Sequence, residues 1–494
     1  MPAYYLEALT VTLGLALLMA EAFVPSARKS WVGLAASVGL VIILGLNFIV
    51  IGPQDARPDA AWAKWPLWSF IEFDALARYY KAFVILCTLL VVLMAVDHRR
   101  ILTRFTNRSG GEEGTGEYYA LPVFACAGMM WMASVRDLAV AFVALELVTI
   151  TFYVLVAYLR RNVGSLEAGV KYLILGALST GFLVYGIAWI YGCTGTMNLD
   201  VIAGMLNDGR AAEVQRVPLL FGIALVLVGL GFKVGAVPMQ FWIPDVYQGA
   251  PLPTTAFLSV GSKAAGFILL IRVLDPFLGS ELTAKPVLGI LAALAAATLL
   301  FGNLAAIAQT NFKRLLAYSS IAHAGFMLLA LAGGETTVGG LNAAQIVSFY
   351  LGTYLLMTLA VFFVLSQIRI QRDGEEIRDF NGLGKSHPRI ALALTVLMAS
   401  LAGVPLTAGF IGKFLVFAVA VKAGLWWPVG IATIAAAAGF YYYFKVIRAM
   451  WWADAADGTP PVVLPQLTRY AVAGLTLAVV VLGFYPQPIL DLLK

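Results

Sequence analysis

The stretch 231–263, GFKVGAVPMQFWIPDVYQGAPLPTTAFLSVGSK, constrains the fold more than any other part of the chain. It closes a long apolar run and yet holds Lys233 close to glycines on either side. The prolines that follow are Pro238, Pro244, Pro251 and Pro253. Each proline removes a backbone donor and crowds the preceding turn, so the stretch cannot form one regular helix. In a membrane, the freed backbone groups and the charged lysine need shelter from protein or enclosed water. The stretch therefore predicts a broken transmembrane helix lining a hydrated interior, with Lys263 in the next span.

The composition is that of an all-α polytopic membrane protein. Of the 494 residues, 61% are hydrophobic and 12% are charged, and soluble domains carry about twice this charged fraction. At about 20 apolar residues per crossing, the chain predicts about 14 transmembrane helices. The net charge of +6 does not predict nucleic-acid binding, because the basic residues lie mostly in short loops, where membrane topology explains them.

Cysteines and histidines are too scattered to predict a metal or haem site. The residues are Cys87, Cys126, Cys193, His98, His323 and His387, and no CxxC pair occurs among them. This spacing argues against iron–sulfur, zinc and haem ligation. We therefore expect no redox centre bound to this chain.

The positive charges also predict an orientation. Loops after even-numbered spans hold roughly half as many Lys and Arg residues as loops after odd-numbered spans, which places the odd loops in the cytoplasm. Both termini are then expected on the non-cytoplasmic side.

An internal repeat becomes visible once the broken helix is recognised. Residues 399–417, ASLAGVPLTAGFIGKFLVF, again combine glycines, a proline and an intramembrane lysine, Lys413, which we expect to repeat the setting of Lys233. Two interrupted helices in corresponding positions are typical of inverted-repeat transporters. The predicted fold therefore has two inverted five-helix repeats, each with a broken helix. The predicted units are flanking helices 1–3 (residues 1–117), a first repeat of helices 4–8 (118–274), a second repeat of helices 9–13 (275–450) and flanking helix 14 (451–494).

Five titratable residues are predicted to lie at mid-membrane depth, where charge is costly and usually functional. They are Glu146, Lys233, Lys263, His323 and Lys413. Lys233 is the expected partner of Glu146, since a nearby carboxylate stabilises a buried ammonium. Bland alternatives stay open: a structural polar contact for Glu146, snorkelling to the interface for Lys263 and a satisfied core imidazole for His323. In sequence these groups form a row, and a proton conductor uses such a row because each charge biases the next.

Four further basic residues lie near span ends, where a loop or headgroup role is as plausible as transport. They are Lys171, Arg314, Lys445 and Arg448.

Several motifs closely resemble the antiporter-like subunit N (subunit 2) family of respiratory complex I, the proton-pumping NADH:quinone oxidoreductase. The long motif is FKVGAVPMQFWIPDVYQGAPLPTTAFLSVGSKAAGF from Phe232 onward. The supporting motifs are EAGVKYLILGALSTGFLVYG at 167–186, QTNFKRLLAYSSIAHAG at 309–325 and GVPLTAGFIGKF at 403–414. Two positions depart from the family pattern: Gln240 stands where His is common, and Gln248 where Glu is common. These departures put in doubt only a proton-uptake role for the two positions.

The resemblance implies a non-redox subunit that passes protons through Glu146, Lys233, Lys263, His323 and Lys413. It implies that FMN, the iron–sulfur clusters and the quinone site lie on partner subunits, so that no cofactor binds here. The implied partners are other complex I membrane subunits, especially neighbouring antiporter-like and small membrane subunits, within the lipid bilayer. The implied location is a bacterial-type inner membrane.

Two other functions are weighed against this one. A subunit of an Mrp-type cation–proton antiporter would share the fold, but those relatives usually carry a PDA-type motif and a His-rich eighth span. A structural scaffold would gain little from several costly charges in line.

Overall fold

The computed structural model describes residues 2–23, 29–53, 61–106, 115–207, 214–456 and 458–493. Within these ranges, twelve helices are long and apolar enough to cross a membrane. They are Tyr5–Phe23 (span 1), Ser30–Asn47 (2), Ala75–Asp97 (3), Leu138–Val156 (5), Val163–Thr194 (6), Arg216–Val234 (7), Leu252–Leu278 (8), Ala284–Ile307 (9), Phe312–Leu331 (10), Ala343–Arg372 (11), Trp426–Trp452 (13) and Gln466–Phe484 (14). Gly116–Ala133 forms span 4, and two shorter helices, Pro388–Ala402 and Ala408–Lys422, together form span 12. The predicted all-α fold of fourteen crossings is confirmed.

Span 7 breaks where the glycines and prolines predict. The helix Arg216–Val234 ends at Gly235, whose φ of 82° is left-handed and favours glycine. The amides of Gly235 and Ala236 both donate to the carbonyl of Gly231 and so satisfy the helix end. The chain then forms the short half-helix Trp242–Gly249.

Span 12 breaks in the same way. The helix Pro388–Ala402 ends at Gly403, which has a φ of 93°. The amides of Gly403 and Val404 both donate to the carbonyl of Ala399. Because the two breaks share one capping pattern, they are local structural counterparts.

Span 8 contains a short π-helical segment, Leu258–Ser262, directly before Lys263. The five-residue spacing of its hydrogen bonds widens the helix and inserts one extra residue. Such segments frequently occur at functional sites, and this one immediately precedes an intramembrane lysine.

Spans 8, 10 and 11 form the centre of the molecule, because almost all of their residues are buried. Spans 1 and 14 expose most of their surface and lie at the periphery.

Two faces of the molecule are named by their loops. The odd-loop face is reached by the loops after odd-numbered spans. The even-loop face lies opposite and holds the start of span 1. The residue limits of the repeats, 118–274 and 275–450, stay a prediction.

Candidate functional site

Glu146 lies in the middle of span 5, which begins where the carboxylate of Asp137 accepts the amide of Ala139 at 2.8 Å. Its side chain is half-buried, and its Oε1 atom accepts a hydrogen bond from Thr180 Oγ1 of span 6 at 2.8 Å. A carboxylate at this depth needs such a donor, because an unpartnered charge is costly in an apolar environment.

Lys233 occupies the last turn of the first half of span 7 and is only 4% exposed. Its Nζ atom donates to Thr149 Oγ1 at 2.9 Å. Thr149 lies one turn beyond Glu146 on span 5, so the structure brings the predicted partners to one side of the same helix. Lys233 bonds directly to the hydroxyl, and the predicted partner Glu146 acts on it through its charge without a direct contact.

Lys263 is fully enclosed at the centre of the molecule. Its Nζ atom donates to the backbone carbonyl of Ser320 in span 10. The hydroxyl of Ser320 in turn pairs with Tyr247 from the short half-helix, at 3.2 Å. The snorkelling alternative is therefore excluded, since the side chain ends among helices and not at an interface.

His323 is buried one turn beyond Ser319 and Ser320 in span 10. Its Nδ1 atom lies 2.6 Å from the hydroxyl of Tyr350 in span 11, and its Nε2 atom lies 3.0 Å from the hydroxyl of Tyr443 in span 13. The Tyr443 hydroxyl also bonds to that of Ser319. The imidazole therefore sits between two phenols, each able to donate or accept a proton. The two phenols also provide hydrogen-bond partners for both ring nitrogens. The geometry of His323 therefore fits a proton relay and a structural core histidine equally.

Lys413 lies in the second half of span 12 and is buried. Its Nζ atom donates to the carbonyls of Leu401 at 2.9 Å and Ala402 at 2.8 Å, at the end of the first half. The ring of Phe326 lies 5.2 Å away. Lys413 thus lies beside a glycine-capped break, as Lys233 does, but it follows its break, whereas Lys233 precedes its own.

The half-helix Trp242–Gly249 is held by cations from two neighbouring spans. The carboxylate of Asp245 pairs with Lys171 of span 6 at 2.7 Å and with Arg314 of span 10 at 2.8 Å. Lys313 donates to the carbonyls of Gln248 and Ala250 at 3.0 and 2.9 Å and so caps the end of this half-helix. Two of the four span-end cations thus converge on the PDVY motif.

The two departures from the family pattern lie on the same segment. Gln248 accepts a hydrogen bond from Arg314 at 2.9 Å through its Oε1 atom. Gln240 is buried, and its Oε1 atom has no hydrogen-bond partner within the described residues. Lys445, another of the span-end cations, donates to the carbonyl of Gln309 at 2.8 Å.

A cavity of about 450 Å³ opens beside this half-helix on the odd-loop face. Its charged or polar lining residues include His98, Glu167, Lys171, Asp245, Lys313, Arg314, Arg369 and Glu375. His98 lies just beyond the end of span 3 and bonds to Ser366 at 2.8 Å. Burial, followed by the nearby charges of Lys313 and Arg369, lowers the pKa of His98 to about 3. The imidazole is therefore neutral across the physiological pH range.

Sequence reasoning pointed to the hydroxyls of Ser319 and Ser320 beside His323 but missed three others that contact the charged residues. Tyr350, Tyr443 and Thr149 contact the predicted site residues directly. Tyrosines and threonines are common in apolar helices, and only folding shows which of them face inward. Within the described residues, no group of three or more His, Cys, Asp and Glu side chains could hold a metal ion.

Comparison with known proteins places this geometry in a family. The model of the family described as "NADH:quinone oxidoreductase/Mrp antiporter, TM" matches residues 135–439. NADH-quinone oxidoreductase subunit N 2 of Roseiflexus castenholzii is 38% identical, over 97% of this chain and 92% of the relative. Subunit N of Trichlorobacter lovleyi is 40% identical, over 90% and 86%. The chain belongs to the subunit N family of NADH-quinone oxidoreductases.

Solved structures of related complexes share the fold of this chain. A chain of respiratory complex I from Thermus thermophilus superposes with a TM-score of 0.77 and 33% identity, covering 98% of both chains. A chain of the Mrp complex from Dietzia sp. has a TM-score of 0.81 but only 20% identity, covering 99% of this chain and 96% of that one. The second similarity shows a shared fold alone. Residues 1–134 lie outside the family model, but the alignment to the Roseiflexus relative covers 97% of the chain and so includes most of them.

Proposed function

We propose that this chain is a proton-translocating, non-redox membrane subunit of NADH:quinone oxidoreductase. Its partners are the other membrane subunits of that complex, whose flavin, iron–sulfur clusters and quinone site lie elsewhere. The observation that carries the proposal is the set of four buried basic side chains, Lys233, Lys263, His323 and Lys413, each bonded to hydroxyls or backbone carbonyls and not to a carboxylate.

This bonding pattern favours proton transfer over a scaffold. A buried ammonium that is bonded only to neutral acceptors is not locked by an opposite charge, so it can lose its proton more readily. Hydroxyls donate and accept in turn, so they can pass protons between titratable groups. A scaffold would instead pair each buried charge with an opposite one.

The proposed path runs through Glu146, Lys233, Lys263, His323 and Lys413. Glu146 and Lys233 share the Thr149 side of span 5. Lys263 and His323 are linked through span 10, where the acceptor carbonyl of Ser320 lies one turn from the imidazole. Lys413 caps the end of the first half of span 12. The two breaks are the counterparts in the proposed repeats 118–274 and 275–450.

The test replaces Lys263 by Met in the assembled complex. The proposal predicts that NADH-driven proton pumping falls at least about tenfold at matched assembly, a bound set below the roughly hundredfold minimum usual for a proton-transfer group. The matched control is Lys385→Met, which removes an exposed lysine paired with Asp454. Unchanged pumping in Lys263→Met would refute the proposal.

An Mrp-type cation–proton antiporter is the second candidate. It would exchange Na⁺ or K⁺ for protons in vesicles without NADH. Such exchange in the absence of redox substrates, abolished by Lys263→Met, would favour this function over the first.

The proposed location is a bacterial inner membrane with both termini outside the cytoplasm. Accessible tags placed at each terminus and in the loop after span 11 test this orientation. A C-terminal tag that reacts only from the cytoplasm would contradict it.

A further inference from the structure

Glu7 and Lys81 form an ion pair buried among the N-terminal helices. Lys81 Nζ lies 2.7 Å from Glu7 Oε1, and the two side chains are 1% and 4% exposed. Glu7 Oε2 is buried and has no hydrogen-bond partner within the described residues. The ring of Phe73 lies 4.7 Å from Lys81 Nζ. The Oε2 atom of Glu7 can therefore still bind a proton or accept a hydrogen bond from a water molecule.

The pair is linked to the centre of the molecule through span 3. Six residues beyond Lys81, about 9 Å along a helix, Cys87 packs on the π-helical segment that precedes Lys263: a Cβ added at Gly261 would lie 3.2 Å from its Sγ. Tyr80, next to Lys81, accepts a hydrogen bond from Ser348 of span 11 at 3.1 Å. Ser348 lies two residues before Tyr350, which bonds to His323. Span 3 therefore contacts span 8 just before Lys263 and span 11 close to Tyr350, the partner of His323.

The same helix leads outward to a charged network on the even-loop face. Asp74 caps the start of span 3 and binds Arg272 from the end of span 8, at 2.5 and 2.9 Å. Glu72 lies 3.4 Å from Arg272 and 3.4 Å from Arg136. Arg136 lies 3.3 Å from the exposed Asp200. Lys81 is seven residues from Asp74, about 10 Å along the helix. The Glu7–Lys81 pair thus lies between the buried centre and an exposed polar network.

We propose that Glu7 is a proton-release group, through which protons leave the Lys263 region toward the even-loop face. This inference rests on the proposed function. Lys81 is its positioning residue, which holds the carboxylate by charge. Glu7 Oε1 holds Lys81, and the buried Oε2 atom, which has no partner within the described residues, is the oxygen that can take the proton.

The transfer balances as two proton steps. The ammonium of Lys263 loses a proton to an intervening water or hydroxyl, and its nitrogen becomes neutral. An O–H bond forms at Glu7 Oε2, which converts the carboxylate into a carboxylic acid while Lys81 stays protonated. The O–H bond then breaks, the proton passes to water at the even-loop face, and the carboxylate is restored.

The experiment compares three substitutions in the assembled complex. We expect Glu7→Gln to lower NADH-driven pumping about tenfold, since an amide cannot carry the proton. The double variant Glu7→Gln/Lys81→Met leaves no unpaired charge, so it should assemble, yet it should pump as poorly as Glu7→Gln. Lys81→Arg keeps the positive charge and should stay within about threefold of wild type, because Arg remains protonated and Lys81 carries no transferred proton.

A matched control comes from the same helix. Glu21 of span 1 pairs with Lys29 at 2.6 Å on the odd-loop face, and its side chain is 15% exposed, so this pair is somewhat less buried than Glu7–Lys81. Glu21→Gln/Lys29→Met should pump normally. Normal pumping in Glu7→Gln/Lys81→Met would overturn the inference and make the pair structural, as would equal losses in the control. A loss in Lys81→Arg equal to that in Glu7→Gln would overturn the assignment of the proton to Glu7.

The variant Lys263→Met separates the two proposals. If it pumps normally, the proposed proton-translocating function is wrong. If it is impaired while the Glu7 variants pump normally, only the assignment of Glu7 as the release group is wrong.

Discussion

The Nζ atom of Lys413 lies 2.9 Å from the carbonyl oxygen of Leu401, so a side chain on one half of span 12 caps the other half. An ammonium stabilises the negative end of a helix. The same contact therefore supports a structural role and places a titratable group at the break, and the two roles call for different behaviour on substitution.

Replacing Lys413 by Arg separates these roles. Arginine keeps the positive charge and offers five hydrogen-bond donors, but its guanidinium does not release a proton in proteins. We expect Lys413→Arg and Lys413→Ala both to reduce pumping about tenfold or more at matched assembly. A cap alone would be rescued by Arg. Quinone reduction and proton uptake in membrane vesicles are the measurements, and normal pumping in Lys413→Arg would remove this residue from the path.

Glu146 offers a test of charge against position. Glu146→Gln keeps an acceptor for Thr180 but removes the charge near Lys233, so proton transfer should slow. Glu146→Asp keeps the charge and moves it by one methylene, so the loss should be smaller. The measurement is pumping per assembled complex. Equal losses in the two variants would show that the position of the group matters and not its charge.

His98 should make stability depend on pH. Its pKa is about 3 in the folded protein, because of burial, and near 6.5 when unfolded. Between these values the unfolded state binds more protons, so stability is present above pH 6.5 and is lost as the pH falls. The loss from pH 7.5 to 5.5 should be about 1.4 kcal/mol. His98→Asn should show a smaller decrease in the Tm of the complex over this range, and an unchanged decrease would contradict the assignment.

Asp245→Asn removes one partner from two cations at once. Lys171 and Arg314 would both lose their carboxylate, and the half-helix Trp242–Gly249 would lose two of its attachments. Because these groups are partly exposed, we expect a loss of stability of only about 1 kcal/mol. The pumping rate per assembled complex should fall further than this loss of stability alone would explain. The control Asp454→Asn breaks the exposed pair with Lys385 and should affect neither.

The chain purified alone should carry no flavin, haem or iron–sulfur chromophore. Its three cysteines and three histidines are scattered in sequence, and its metal-ligating side chains form no cluster within the described ranges. Absorbance spectra and iron analysis provide the check. A stoichiometric chromophore would contradict a non-redox subunit.

The crossings and their breaks were predictable from the sequence because they depend on local physics. Apolar length determines a span, and glycine with proline determines where a helix must end, as at Gly235 and Gly403. Five charged or titratable residues at membrane depth were equally predictable, because each lies within an apolar run, but Lys81 and Glu7, near the starts of their spans, were not singled out.

The partners of those charges were not predictable. Glu146 was predicted as the charge partner of Lys233, but the direct acceptor, Thr149, lies one turn away and depends on how the helix is rotated. For Lys413 the sequence shows that the lysine follows its break, but it does not show that the acceptors are the carbonyls of Leu401 and Ala402. The Glu7–Lys81 pair joins residues 74 positions apart. Its lysine is visible in the sequence in ARYYKAFV, two turns into span 3, but its partner depends on how span 1 packs.

The π-helical segment Leu258–Ser262 has a consequence for how span 8 could evolve. It holds one residue more than an α-helix needs over the same rise, so the helix absorbs that residue locally. Deleting one residue there would restore an α-helix and leave Lys263 facing Ser320 and Arg272 facing Asp74. The same deletion in the regular helix beyond it would turn the residues that follow by about 100° and shift them by about 1.5 Å. Span 8 can therefore lose a residue at this one place without moving the ammonium at the centre or the guanidinium at the rim.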